Sequence, residues 1–134
     1  MDIYSDVSHM QHEFKAHAWV GKNPDKLADL LKLRLRMLNE EHNETMNAYL
    51  TNDAEEFVDG LIDLIVIAAG TLDLFGVDVE TAWDEVMDAN LGKEVGVKPG
   101  RPNPLGLPDL IKPSSWQPPS HRNNLGLLPK VMGE

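Results

Sequence analysis

The chain has 134 residues, of which 42% are hydrophobic and 6% aromatic, with a formal net charge of −10 and no cysteine. That length bounds it to one domain with at most a tail. The charge makes a nucleic-acid backbone an unsuitable partner, and the missing thiols exclude disulfides and thiolate zinc sites. No apolar run approaches a membrane span, since the longest block, Leu61 to Gly70, contains Asp63. The N-terminus carries Asp2 and Asp6 and no basic-then-apolar pattern, so a cytoplasmic location without a membrane partner is expected.

Charge divides unevenly along the chain. Residues 1–95 hold 7 Lys/Arg and 20 Asp/Glu, whereas residues 96–134 hold 5 and 2, with eight of the nine prolines. The expected architecture is all-α. An acidic antiparallel bundle of about four helices over residues 1–95, completed by oligomerisation, precedes an extended proline-rich tail over residues 96–134.

Residues 6–19 are expected to form one helix, with Val7, Met10, Gln11, Phe14, His17 and Ala18 on one face and Gly21 as its breaker. His9 and His12 lack a second ligand pair at matching spacing and read as surface residues. His17, with Gln11 beside it, is a candidate for lining a pocket that holds a base.

Asn23 before Pro24 reads as a helix start, a capping side chain ahead of proline at the first helical position. The helix is expected to reach about Tyr49. Leu30, Met37, Glu41, Glu44 and Ala48 share one face of it, and Leu27, Leu31, Leu35, Leu38 and His42 a second. The first stripe turns from apolar to acidic within Glu40-Glu41-His42-Asn43-Glu44. Arg34 lies about two turns before Glu41 on the same stripe. Two readings fit it: pairing with neighbouring acids, or contact with substrate phosphates.

Thr51-Asn52-Asp53 is a short polar connection with its own cap residue. It forces the next helix back antiparallel on the previous one. That helix is expected to end near Leu74, with Gly76 as its stop. Gly60 and Gly70 inside it point to close helix packing. Glu56, Asp59 and Asp63 lie at i, i+3 and i+7 on one face.

Like charges at this spacing repel, and burying them uncompensated is costly. A divalent cation removes both objections, and hard carboxylate oxygens suit magnesium or manganese. Glu40, Glu41, Glu44, Glu56, Asp59 and Asp63 are therefore the candidate ligands. The bland alternative is a solvated acidic face. There is no nucleophile with a matching base and no glycine-rich phosphate loop, so the chemistry left is metal-assisted attack of water on a polyphosphate.

Asp78 is expected to cap a further helix with Val79, Ala82, Trp83, Val86, Met87, Asn90 and Leu91 on its buried face and Gly92 at its end. Asn90 is polar within that stripe, and Lys93 lies just beyond it. Either Asn90 caps the helix end, or both residues face the acidic site. Beyond Gly96, Pro102-Asn103-Pro104, Trp116-Gln117-Pro118-Pro119 and the Leu125–Pro129 segment read as extended chain with anchor points.

These motifs resemble those of the all-α nucleoside triphosphate pyrophosphohydrolases, the MazG-like and phosphoribosyl-ATP pyrophosphohydrolase-like group. The likeness is strongest to small phage- and bacteria-encoded members and covers about residues 7–93. Arg34 through Glu44 look like the family's Arg-x-x-Leu-x-x-Glu-Glu-x-x-Glu. Val58-Asp59-Gly60-Leu61-Ile62-Asp63 looks like its second acidic motif, and Glu85 through Lys93 resemble Glu-Val-x-x-x-Asn-x-x-Lys. One departure is visible: Gly60 stands where the second motif usually has Glu, leaving Glu56 and Asp59 as alternatives.

The resemblance implies hydrolysis of a nucleoside triphosphate to the monophosphate and pyrophosphate with magnesium. It implies that Glu41, Glu44 and Asp63 are the catalytic metal ligands, that Asn90 and Lys93 bind substrate, and that the protein is a homodimer or homotetramer. Two alternatives stand beside it. One is phosphoribosyl-ATP hydrolysis; the other is a non-enzymatic acidic helical interaction module.

Overall fold

The computed structural model describes residues 2–98, 100, 105 and 109–133, so Pro102-Asn103-Pro104 lies outside the described residues. The fold is all-α, with six α-helices and one small two-stranded sheet among the described residues. Helices α1 (Ile3–Glu13), α2 (Ala16–Lys22), α3 (Leu27–Leu50) and α4 (Ala54–Leu74) come first, then α5 (Val79–Leu91). Strands β1 (Glu94–Gly96) and β2 (Asp109–Ile111) come next, and the terminal helix is α6 (Leu128–Met132). No described helix is long and apolar enough to cross a membrane.

The chain divides into two compact units, one of residues 2–79 with 125–133 and the other of residues 80–124. The first is built on the α3–α4 hairpin. Asp53 accepts from the Glu56 amide and starts α4, and Asn52 at φ 58° makes the turn before it. Arg34 near the start of α3 bonds to groups near the end of α4, and Thr45 near the end of α3 meets Gly60 near the start of α4. The two helices are therefore antiparallel, as the short connection requires.

At one end of this pair sits the apolar core. Phe75 is 0% exposed and clusters with Leu27 and Leu74, while Leu30, Leu31, Val20 and Ala16 pack around them. Leu127, Leu128 and Val131 close the cluster, and the Leu127 amide donates to the Phe75 carbonyl at 2.7 Å. The end of the chain, residues 125–133, thus belongs to the core of this unit.

Two expectations about local structure are corrected. The helix expected over residues 6–19 is broken at Lys15, whose φ of 61° is left-handed. Val7 and Gln11 are buried on α1, but Phe14 is exposed and His17 belongs to α2. The break lets Gln11 and His17 approach one acceptor from two helices. Asn23 does not cap the next helix, because its amide donates backward to the Trp19 carbonyl at 2.8 Å and closes α2. Pro24–Lys26 forms a single 3-10 turn before α3.

In the second unit, β1 and β2 pair antiparallel with Glu94 opposite Ile111 and Gly96 opposite Asp109. The face of α5 expected to be buried is not: Trp83, Val86 and Leu91 are exposed. Thirteen residues with one short hairpin offer too little surface to cover such a stripe.

Candidate active site

The acidic site forms where α3 and α4 approach most closely. The Thr45 hydroxyl bonds back to the Glu41 carbonyl at 2.8 Å, so it stays within its own helix and presents a compact flank. Gly60 lies directly against it; a Cβ there would collide with Oγ1 and stand 3.1 Å from the Thr45 Cβ. This small-on-small contact draws the two backbones together. Glu41 and Glu44 lie within the turn before Thr45, and Asp59 and Asp63 flank Gly60 on the facing helix.

The electrostatics arise from that approach. Glu41 is half-buried, and its carboxyl pKa is raised, first by desolvation. The charge of Glu44 adds to this, then that of Asp63, a hydrogen bond with Asp63, and the charge of Asp59. A bond between two carboxyl groups requires a proton on one of them. So the Glu41–Asp63 pair is a place where negative charge is held against its own repulsion.

Three of the expected ligands, Glu44, Asp59 and Asp63, thus act electrostatically on a fourth, Glu41. Glu40 is exposed and is not among the groups acting on Glu41. Glu56 is also outside the group. It lines a shallow depression of about 730 Å³ with Asp53, Glu55, Val58, Asp59 and Ile62, one turn nearer the start of α4. Of the two alternatives Glu56 and Asp59, Asp59 is the one whose charge bears on Glu41. Among the described residues, no three acids or histidines are closed into a ready ligand cage. The donor set nonetheless fits a hard divalent cation: oxygens only, with more negative charge than the protein itself offsets.

The other candidates lie at the opposite end of the hairpin. Asp73 Oδ2 accepts from Gln11 Nε2 at 2.7 Å and pairs with His17 Nε2 at 2.6 Å. Gln11 and Asp73 are 4% and 7% exposed, so this is a buried polar junction tying α1 and α2 to α4. The His12 ring stacks on His17 with centroids 3.9 Å apart.

Among the described residues Arg34 pairs with no acid. Its Nε donates to Thr71 Oγ1 and its Nη2 to the Ile67 carbonyl, both at 3.0 Å. Burial lowers the pKa of this half-buried guanidinium, which stays protonated at physiological pH. Gly70 makes room for it; a Cβ there would sit 2.7 Å from Arg34 Nη2. An open cleft of about 770 Å³ runs past Arg34 and is lined also by Phe14, Lys15, Trp19, Arg36 and Met37.

Asn90 and Lys93 belong to the second unit. Lys93 Nζ donates to Asn90 Oδ1 at 2.9 Å, and the Lys93 amide donates to the Asn90 carbonyl at 3.2 Å. So Asn90 both ends the helix and holds the lysine.

Asp73 was missed by reasoning from the sequence. Its signal was a lone acid in the otherwise apolar end of α4, Ala68-Ala69-Gly70-Thr71-Leu72-Asp73-Leu74, where only a partnered carboxylate is tolerated.

A family model described as phosphoribosyl-ATP pyrophosphohydrolase matches residues 10–90. No curated protein matches the chain significantly.

Proposed function

The chain belongs to the phosphoribosyl-ATP pyrophosphohydrolase family, and from that premise we propose that it is a magnesium-dependent hydrolase converting (deoxy)nucleoside triphosphates to monophosphates and pyrophosphate. An activity on phosphoric anhydride bonds comes with the family itself. The observation that carries the finer reading is the carboxylate group at the Thr45–Gly60 contact. There the charges of Glu44, Asp59 and Asp63 bear on Glu41, whose pKa is raised.

Divalent-metal dependence is general in this family. Glu41, Glu44, Asp59 and Asp63 would hold the cation, with manganese as an alternative to magnesium. A bound cation supplies positive charge for the polyphosphate and for the leaving pyrophosphate. Water adds to phosphorus, the α–β anhydride bond breaks, and the released protons pass to solvent and phosphate. The chain's own acids fix where that charge sits. The cationic cleft with Arg34 offers a second contact for a nucleotide, with Gln11 and His17 behind it. Asn90 and Lys93 are assigned to substrate binding through their motif.

A second reading, phosphoribosyl-ATP as substrate, is favoured by the description of the matching family. The two share the bond broken and differ in what the α-phosphate carries. Assembly as a homodimer or homotetramer is supported by α4. Val58, Leu61, Ile62 and Ile65 make a stripe at i, i+3, i+4 and i+7 and are between 45% and 61% exposed.

Product analysis tests the reading. The purified chain is incubated with magnesium and each ribo- and deoxynucleoside triphosphate, and with phosphoribosyl-ATP. Monophosphate plus pyrophosphate, abolished by Glu41→Gln or Asp63→Asn, is expected. Turnover of phosphoribosyl-ATP alone selects the second reading. Turnover of neither, with no effect of magnesium on melting, overturns both in favour of the interaction module.

A further inference from the structure

Trp116, in the proline-rich segment, stands apart from the chemistry described so far. The second unit places that indole at the C-terminal end of α5. A helix leaves its last carbonyls without intrahelical donors. The Ala89 carbonyl would ordinarily take the Lys93 amide, four residues on. That amide instead bonds to the Asn90 carbonyl at 3.2 Å, in a tight turn through Gly92. Ala89 O is satisfied by Trp116 Nε1 at 2.6 Å.

The indole also packs on the turn it completes, with Cδ1 3.6 Å from where a Gly92 Cβ would be. Its ring faces the Lys93 ammonium, 5.6 Å from the centroid, and Lys112 faces it at 4.7 Å. Both fall within the range of cation–π attraction.

Two more contacts fix the segment that carries Trp116. Directly after Lys93, β1 pairs with β2, and Lys112 comes immediately after β2. Past Trp116 the chain runs back along α5, where the Ser120 amide donates to Glu85 Oε2 at 3.2 Å. Lys93 is thereby held from three directions: by Asn90 at its tip, by the strand pair at its backbone and by the Trp116 ring beside its ammonium.

A lysine has large rotamer freedom, and each restraint reduces what a bound anion must order. We propose that Trp116 is a positioning residue for Lys93: the 109–120 segment folds back on α5 to hold the lysine ammonium ready for a substrate phosphate. This rests on the assignment of Lys93 to the substrate. It gives the proline-rich segment a part in binding that no motif of the catalytic helices contains.

The test uses the full chain with magnesium and the nucleotide it turns over. Lys93→Met is expected to raise KM by about tenfold or more, the loss of one charge-assisted contact. Trp116→Ala is expected to raise KM by about fivefold with little change in kcat, and Trp116→Phe, which keeps a ring but loses the N–H, by less. In a Lys93→Met background, Trp116→Ala should add nothing, because its effect passes through the lysine. An equal factor in both backgrounds would make Trp116 a general support of the fold and overturn the proposal.

A readout independent of turnover separates the two assignments. The chain has three tryptophans, and the indole N–H resonance lost in Trp116→Phe identifies the one of interest. Lys93→Met should shift that resonance and leave the other two. A shift without any change in KM removes the substrate role of Lys93, and the positioning role with it. A change in KM without a shift leaves Lys93 on the substrate and removes Trp116 alone.

Discussion

The two ends of the α3–α4 hairpin treat charge in opposite ways. At the Arg34–Asp73 end the two groups that mark it each meet complements. Asp73 has Gln11 and His17, and Arg34 has the Thr71 hydroxyl and the Ile67 carbonyl. At the Glu41–Asp63 end carboxylates meet carboxylates, and the pKa of Glu41 rises. Both ends use a glycine to bring groups close, Gly70 for Arg34 and Gly60 for Thr45. The first arrangement contributes stability in the chain as it stands. The second costs stability in the chain as it stands, a cost that a cation bound as proposed would offset.

The largest expected effect breaks the second end. Glu41→Gln or Asp63→Asn should lower kcat/KM by about 10²–10³-fold or more, since each removes a proposed ligand of the cation. Removing divalent cations with a chelator should abolish turnover in the unmodified chain, with recovery on adding magnesium. Steady-state kinetics on both would show whether the acidic end does chemistry at all.

Next in size is the paired end. Asp73→Ala leaves Gln11 without its acceptor and His17 without its partner, and should cost about 2–3 kcal/mol of folding stability. Asp73→Asn, which keeps one acceptor oxygen, should cost less. Urea unfolding measures both, and equal stability of the three proteins would show that the junction is not what holds α1 and α2.

A smaller change sharpens the comparison at the crossing point. Gly60→Ala drives a methyl into Thr45 and should destabilise by about 1–3 kcal/mol. Adding Thr45→Ala should recover part of that loss, because the clash needs both side chains. Magnesium-dependent stabilisation of Gly60→Ala should also weaken, since the helix spacing sets how closely the four acids converge. Melting curves with and without the metal track both effects.

The smallest effect is in pH. A carboxyl whose pKa is raised by folding binds its proton more tightly in the folded state. Its contribution is most favourable at low pH and is lost as pH rises through the window between the ordinary and the raised value. Without metal, Glu41→Gln should therefore melt slightly higher than the parent near neutral pH. The difference should shrink as pH falls into the carboxylate range. With saturating magnesium the order should invert, because the parent gains binding energy that the variant lacks.

Much of the hairpin was legible before any coordinates. Asp53 and Gly76 mark ends that local backbone rules decide, and the short Thr51–Asp53 connection leaves α4 nowhere to go but back. The break at Lys15 was not legible. Nothing in Phe14-Lys15-Ala16 disfavours a helix, and the left-handed residue is required only because Gln11 and His17 share Asp73. The exposure of Trp83, Val86 and Leu91 on α5 was not legible either, since periodicity tells which residues share a face and not what covers it.

The sequence by itself determined that acids would gather, because spacings of three, four and seven are local properties of a helix. Tertiary structure alone decided which acids. Glu40 and Glu56 obey the same periodicity rules as their neighbours, yet Glu44, Asp59 and Asp63 are the ones whose charges bear on Glu41. That selection depends on where two helices touch, at Thr45 and Gly60, and a point of contact belongs to neither helix alone.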